Sequence, residues 1–369
     1  MSILRPIAAI VFFTLIFDFA FAQQAALDCE QQLTLATDEF NAGRFYGVAA
    51  ILKPCLDGGF SREQRQRANL LLTQAYLLLD DPVGADRSYV DVLWANPEFE
   101  ADTVRDPIDL VYLSRKYTAD PIFSLFARVG GNTSPVRVIH SISPSGEGDV
   151  TDNYDLRFGF HLGGGFDWHF AERLTAMIEL NYQFTQYYKT QVKFVGDRLE
   201  VVDRQRWITL PIAVKYLHPQ GRLKPFAFAG LSLQWLLTDR GQIKSFKTDQ
   251  VEDQSQPITI PAESPTLNLT SYRNAFNQSI FVGGGLRYKV GLDYVFGEMR
   301  YGFGLKNVAI PTSTFDTDGP MVEWGHTDDY FRMDNFSISA GYVRPLYRPR
   351  KLKQARTKSI LRGINRKDK

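Results

Sequence analysis

Three things are scarce in this chain: net charge, cysteine and long apolar runs. Lys and Arg (42) nearly cancel Asp and Glu (41), leaving +1 overall. Because one short segment at the C-terminus is strongly basic, the remainder is acidic in sum. The two cysteines leave room for a single disulfide and no more. After the first two dozen residues no apolar stretch reaches the roughly 18–20 residues of a membrane-spanning helix. If the chain crosses a bilayer, it must therefore do so as a β-barrel. A phosphate-binding glycine loop is also missing. Gly163-Gly164-Gly165 and Gly283-Gly284-Gly285 fall inside strand patterns, where glycine marks close backbone approach or a bend.

What is present begins with a leader. In residues 1–22, Arg5 supplies a positive end, Ile7 to Ile16 an apolar stretch, and Ala20-Phe21-Ala22 a small-x-small site, so cleavage is expected before Gln23. Processing as a lipoprotein is not expected, since the acidic Asp28 precedes Cys29. A secreted chain meets no nucleic acid, and none is expected as a partner. Residues 23–120 then show three-and-four spacing through Leu33, Ala36, Phe40, through Ala68, Leu71, Leu72, Ala75 and through Ala85, Tyr89, Val92, Leu93, with breaks at Asn41-Ala42-Gly43, Asp57-Gly58-Gly59 and Asp80-Asp81-Pro82. This predicts short antiparallel helices in hairpins, with a further short helix at Pro107 to Tyr117. Cys29 and Cys55 sit near the start of the first helix and the end of the second, and an oxidising compartment favours their pairing over two buried thiols. The helices resemble tetratricopeptide-type repeats, with Gly43-Arg44-Phe45 and Ala75-Tyr76 where such repeats carry a turn and a packing aromatic. The resemblance implies a periplasmic module that offers a groove to a protein partner; a plug or spacer is the other reading.

From residue 121 to 347 the period becomes two. Tyr154 to Trp168 and Leu174 to Phe184 alternate apolar residues with Gly and charge, over lengths well beyond the roughly 5–6 residues of ordinary strands. Six more such runs give eight candidate strands, and the connections alternate long and short. This predicts a mainly β fold: an eight-stranded antiparallel transmembrane β-barrel behind a small α-helical domain, with lipid as its outer partner. Alternation alone does not separate it from a lipocalin-like calyx. Arm length and the glycine-and-charge face favour the membrane. Arg128, Arg157, His161, Glu179, Lys215, Arg287, Glu298 and Arg300 are expected to face inward as a paired charge network, since an unpaired buried charge is very costly. An aromatic girdle is expected from Trp168 at one rim and Tyr187, Tyr188, Trp207 and Trp235 at the other.

Segments such as Phe126-Ala127-Arg128-Val129-Gly130-Gly131-Asn132, Phe281-Val282-Gly283-Gly284-Gly285-Leu286-Arg287-Tyr288 and Phe336-Ser337-Ile338-Ser339-Ala340-Gly341-Tyr342 resemble the PorT-like outer-membrane β-barrel proteins of the Bacteroidota. That resemblance covers residues 121–347 and brings no catalytic motif and no cofactor. It implies an outer-membrane location with the helices and the basic tail, residues 348–369, in the periplasm. The tail is expected to be disordered when free; docking on the acidic helical module, anionic head groups or an acidic partner are the open roles. Glu323, His326, Asp328 and Asp329, with His140 and Ser141, form the one group that reads as a rim active site or metal site. The expectation is a non-enzymatic anchor or scaffold for envelope or secretion partners. A small channel or ligand-binding barrel comes next, and a rim enzyme last.

Overall fold

The structure, a computed structural model, describes residues 29–142, 151–171, 173–192, 198–218, 221–249, 258–310 and 320–352. The expected signal peptide and residues 353–369 of the basic tail lie outside the described residues. In chain order the elements are helices α1 (residues 29–41), α2 (Phe45–Asp57), α3 (Arg62–Leu78), α4 (Pro82–Ala95) and α5 (Ile108–Ser114), then strands β1 (Tyr117–Thr118), β2 (Phe123–Thr133), β3 (Val136–His140), β4 (Thr151–Leu156), β5 (Phe158–His169), β6 (Leu174–Val192), β7 (Arg198–Leu217), β8 (Leu223–Asp249), β9 (Ile258–Glu263), β10 (Leu267–Asn268), β11 (Phe276–Val290), β12 (Asp293–Gly304), β13 (Tyr330–Met333), β14 (Asn335–Leu346) and β15 (Arg350–Lys351). They form two compact units, one from the residues up to Pro121 together with those from Tyr347 onward, the other from Ile122 to Leu346.

In the helical unit the three-and-four spacing puts one stripe of each helix into a shared core. Leu33 and Ala36 of α1 meet Val48 and Leu52 of α2 and Ala68, Leu72 and Ala75 of α3. Cys29 and Cys55 are joined across this core, their Cα atoms 5.7 Å apart. Ser61 and Gln64 close a reciprocal capping box at the start of α3. A second core carries Ala85, Tyr89 and Leu93 of α4 against Leu110 and Leu113 of α5. The start of the basic tail differs from the expectation of disorder, because its backbone finds a strand to pair with. Arg350 and Lys351 pair antiparallel with Thr118 and Tyr117, and Lys351 Nζ meets Asp86 at 2.9 Å.

In the other unit β2, β5, β6, β7, β8, β11, β12 and β14 are each hydrogen-bonded to two antiparallel neighbours, and β14 pairs with β2 from Leu346↔Phe123 to Phe336↔Thr133, so this circuit has no free edge. Neighbouring strands are joined by short turns at one end, for example Val290 to Asp293, where Gly291 adopts φ 64°. At the other end β6, β7 and β8 run on past the circuit, over residues 187–192, 198–205 and 238–249, and β9 and β10 add to β8. Near mid-strand every member of the circuit turns a large apolar side chain outward. Val129, Leu162, Leu180, Val214, Leu231, Leu286, Met299 and Ile338 are 50–61% exposed. A belt of this kind is far larger than the apolar patches that soluble monomers tolerate.

Two bulges decide which later residues face in. Tyr154 pairs with Lys189 and Leu156 with Tyr187, but Phe160 pairs with Phe184, so the chain gains one residue between β4 and β5. On β8 the register shifts between Trp207↔Leu236 and Arg206↔Thr238, again by one residue. Beyond each bulge the inward set changes parity, because a one-residue slip exchanges the two faces.

Candidate functional site: a filled lumen under a buried charge cap

Inside the circuit the odd residues of β5, β6 and β7 face their counterparts on the other strands and build two charge layers. In the first, Asp167 accepts from Lys215 Nζ at 3.1 Å and from Arg287 Nη2 at 2.6 Å. In the second, Glu179 and Glu298 sit between two arginines. Arg128 donates to Glu179 and, at 3.0 Å, to Glu298, while Arg300 donates to both carboxylates at 3.1 Å. His161 Nε2 stands 2.9 Å from Ser339 Oγ beside them. Phenylalanines fill the space between the ion pairs. Phe126, Phe226, Phe228, Phe281 and Phe296 form one buried cluster, and Lys215, Arg287 and Arg300 lie 4.7–5.5 Å from the ring centres of the first four. The glycine runs make room for these rings: a Cβ on Gly283 would stand 2.5 Å from Phe228 Cζ. Above the arginines a polar cavity of about 20 Å³, lined by Gln183, Trp207, Gln234 and Asn277 among others, holds space for about one water molecule.

At the far end a cap closes over the strands. Arg273, which follows the short helical turn Thr270–Tyr272, reaches Asp203 of β7 at 2.9 Å, Asp239 of β8 at 2.7 Å, and Asp328. Lys189 of β6 meets Asp329 at 2.7 Å and Asp152 at 3.0 Å, and the Tyr154 hydroxyl donates to Asp329. His326 Nε2 lies 3.3 Å from Asp328. Five acids thus share two bases in a site where Arg273, Asp203, Asp239 and Asp329 are buried. Burial alone would raise the Asp328 carboxyl, but the Arg273 charge outweighs it and holds the group below the ordinary carboxylate range. Burial and the neighbouring Asp203 charge instead push the Asp239 carboxyl up. The strands β3 and β13 pair over this cap, with Tyr187, Val308 and Phe331 packed beneath.

Seven of the expected lumen residues, Arg128, His161, Glu179, Lys215, Arg287, Glu298 and Arg300, are buried inside the circuit. Arg157 is not among them. It sits at the bulge between β4 and β5, exposed, with its guanidinium 4.9 Å from the Tyr188 ring centre. Of the expected girdle, Trp168 and Trp235 face outward, 48% and 40% exposed, and Tyr188 is half-buried. Tyr187 and Trp207 are corrections. Both point inward and are buried, because each has the parity of the lumen set: Tyr187 follows Glu179 and Asn181 on β6, and Trp207 alternates with the outward Ile208 on β7. The expected rim group also divides. His326, Asp328 and Asp329 are buried in the cap, with Ser141 near Asp329, whereas Glu323 and His140 are exposed and apart. Glu323 instead lines a cleft of about 410 Å³ with Arg198, Lys247 and Trp324. Among the described residues no group of three or more His, Cys, Asp or Glu side chains is placed to hold a metal ion.

The partners that sequence reasoning missed, Asp167, Lys189, Asp203, Asp239 and Arg273, are of two kinds. Asp167 shares parity with His161, so its inward position was open to view. Lys189, Asp203 and Asp239 needed the strands to be carried past their apolar stretch and, for Asp239, across a bulge. Arg273 carries no sequence signal, because a loop register places it.

No protein-family model and no curated protein sequence matches the chain. Among solved structures it is similar to the outer membrane protein OprG from Pseudomonas aeruginosa, at 10% identity and TM-score 0.33 over 62% of this chain and 99% of that one. It is also similar to Neisserial surface protein A, at 13% identity and TM-score 0.29 over 61% and 97%. A third is the outer membrane protein AlkL in lipid bilayers, at 12% identity and TM-score 0.29 over 64% and 94%. Likenesses this distant carry no activity or ligand across.

Proposed function

We propose that this chain is an outer-membrane β-barrel protein whose filled barrel serves as a membrane anchor. In this reading the disulfide-stapled helical unit, of tetratricopeptide-like kind, engages an envelope or secretion partner from the periplasm, and the chain is a PorT-like barrel protein of the Bacteroidota without enzymatic activity. The carrying observation is the combination of an apolar belt on every strand of the circuit with an interior occupied by ion pairs and phenylalanine rings. Lipid is the solvent that suits the first, and a conducting path is incompatible with the second. The pairing of Phe123 with Leu346 starts and ends the circuit at the rim of short turns, the arrangement of barrels whose termini are periplasmic. Reconstitution into planar bilayers tests the anchor reading: no conductance steps are expected, and a reproducible unitary conductance contradicts it. Ligand capture at the outer face is the second reading, favoured by the 410 Å³ cleft with Trp324, Arg198 and Lys247 at its wall.

A further inference from the structure

Where the apolar belt ends on the outer surface of the β7–β8 ladder, three arginines stand together. Arg204 is directly across the ladder from Arg240, and Arg206, two residues along β7 on the same face, is across from Thr238. The third strand at these levels, β6, contributes Gln186 and Phe184, neither of them acidic. All three arginines are exposed, and among the described residues none holds a hydrogen-bond or ion-pair partner. Arg44, Arg67 and Arg198 are exposed too, but each grips a carboxylate. Like charges directly opposite one another on a ladder destabilise it. An Arg–Arg pair with no acid beside it is thus a site short of an anion. The nearby Glu200, further out on β7, does not supply one, since it is taken by Arg198.

The position of the triplet says what kind of anion. Ile208 and Trp235 are paired one step inward, and Leu237, the extra residue of the β8 bulge, is 47% exposed beside them. Arg206 and Arg204 precede Ile208 by two and four residues, about 7 and 13 Å outward along the strand. With the tilt usual for such strands, that is about 5–10 Å beyond the belt edge, the depth of lipid head groups. Guanidinium groups bind phosphate oxygens through paired N–H donors, and an apolar row directly below suits a ligand that is itself anchored by acyl chains.

We propose that Arg204, Arg206 and Arg240 form a binding site for the phosphate groups of an anionic lipid in the outward-facing leaflet. The site rests on the membrane-spanning reading given above. Its test uses the full-length protein in mild detergent, with lipid retention read by native mass spectrometry. The probes are lipid A, which carries two phosphates on an acylated sugar, phosphatidylcholine as a zwitterionic lipid, and inorganic phosphate at matched phosphate concentration. Lipid A is expected to be retained and phosphatidylcholine not. Inorganic phosphate is expected to leave lipid A retention unchanged. Retention should fall about fivefold with Arg240→Gln alone and at least tenfold with Arg204→Gln, Arg206→Gln and Arg240→Gln together, on the usual contribution of one basic residue near an anionic surface. The triple Arg→Lys variant should keep part of the retention. Heat-modifiable migration in gels is read on every sample. If the wild-type protein shows none, the membrane reading is overturned and the lipid site with it. If the barrel is present and the Gln variants hold lipid A as well as the wild type does, the site alone is overturned. Equal retention of phosphatidylcholine, or competition by inorganic phosphate, overturns it too.

Discussion

Arg273 shows how much a single side chain holds in this protein. Its guanidinium is the common partner of Asp203, Asp239 and Asp328, which come from three segments of the chain, and it is almost fully buried. Removing a cation from such a site leaves carboxylates without compensation, which typically costs about 3–5 kcal/mol. Arg273→Met is therefore expected to loosen the cap while leaving the barrel in place, seen as new protease cleavage in residues 258–275 with heat-modifiable migration unchanged. Acid should do the same by another route. Asp328 and Asp329 are held below the ordinary carboxylate range, burial being outweighed by Arg273 in one case and Lys189 in the other. A depressed carboxylate contributes stability that is present above its unfolded value, about 4, and is lost as pH falls through the folded value. Protease resistance of the cap should hold from pH 7 to about 5 and fall below about 4. Cleavage that did not change across that window would contradict the clamp.

At the scale of elements, the helical unit depends on its staple. The Cys29–Cys55 bond links α1 to α2 across a sequence separation of 26, and loss of such a cross-link costs about 2–4 kcal/mol. Reduction of the intact protein should expose α1 and α2 to hydrogen exchange ahead of α4 and α5, which pack in a core of their own. Exchange that stayed uniform over α1 to α5 would argue against this. The helices and the eight strands were legible in the sequence because both kinds of element face two environments: Leu52 and Ala68 repeat at helical spacing, and Leu180, Tyr182 and Phe184 alternate with Glu179, Asn181 and Gln183. Past the apolar belt the outward face of β6, β7 and β8 turns polar and the inward face mixes buried ions with Tyr187, Leu199, Val201 and Ile243, so alternation in hydropathy fades and the strand ends and bulges go unread. Tyr187 and Trp207 were legible in another sense. Strict parity places them inside, and the wish for a rim aromatic is a weaker guide than parity.

For the whole molecule, no apolar run after the first two dozen residues is long enough for a spanning helix, and the net charge is +1. The polar groups of the strands pair around a circuit without an edge, and the buried charges sit inside or in the cap as mutually engaged ions. An apolar exterior over a charged, ring-filled interior is stable in lipid and unstable in water. The most direct measurement is the migration of the detergent-extracted protein in gels with and without boiling, beside its partition between the aqueous and membrane fractions. The account predicts a membrane-fraction protein whose unboiled form runs as a compact, faster band and whose boiled form runs at its full mass. A chain that stays in the aqueous fraction without detergent and runs at one position in both lanes would contradict it.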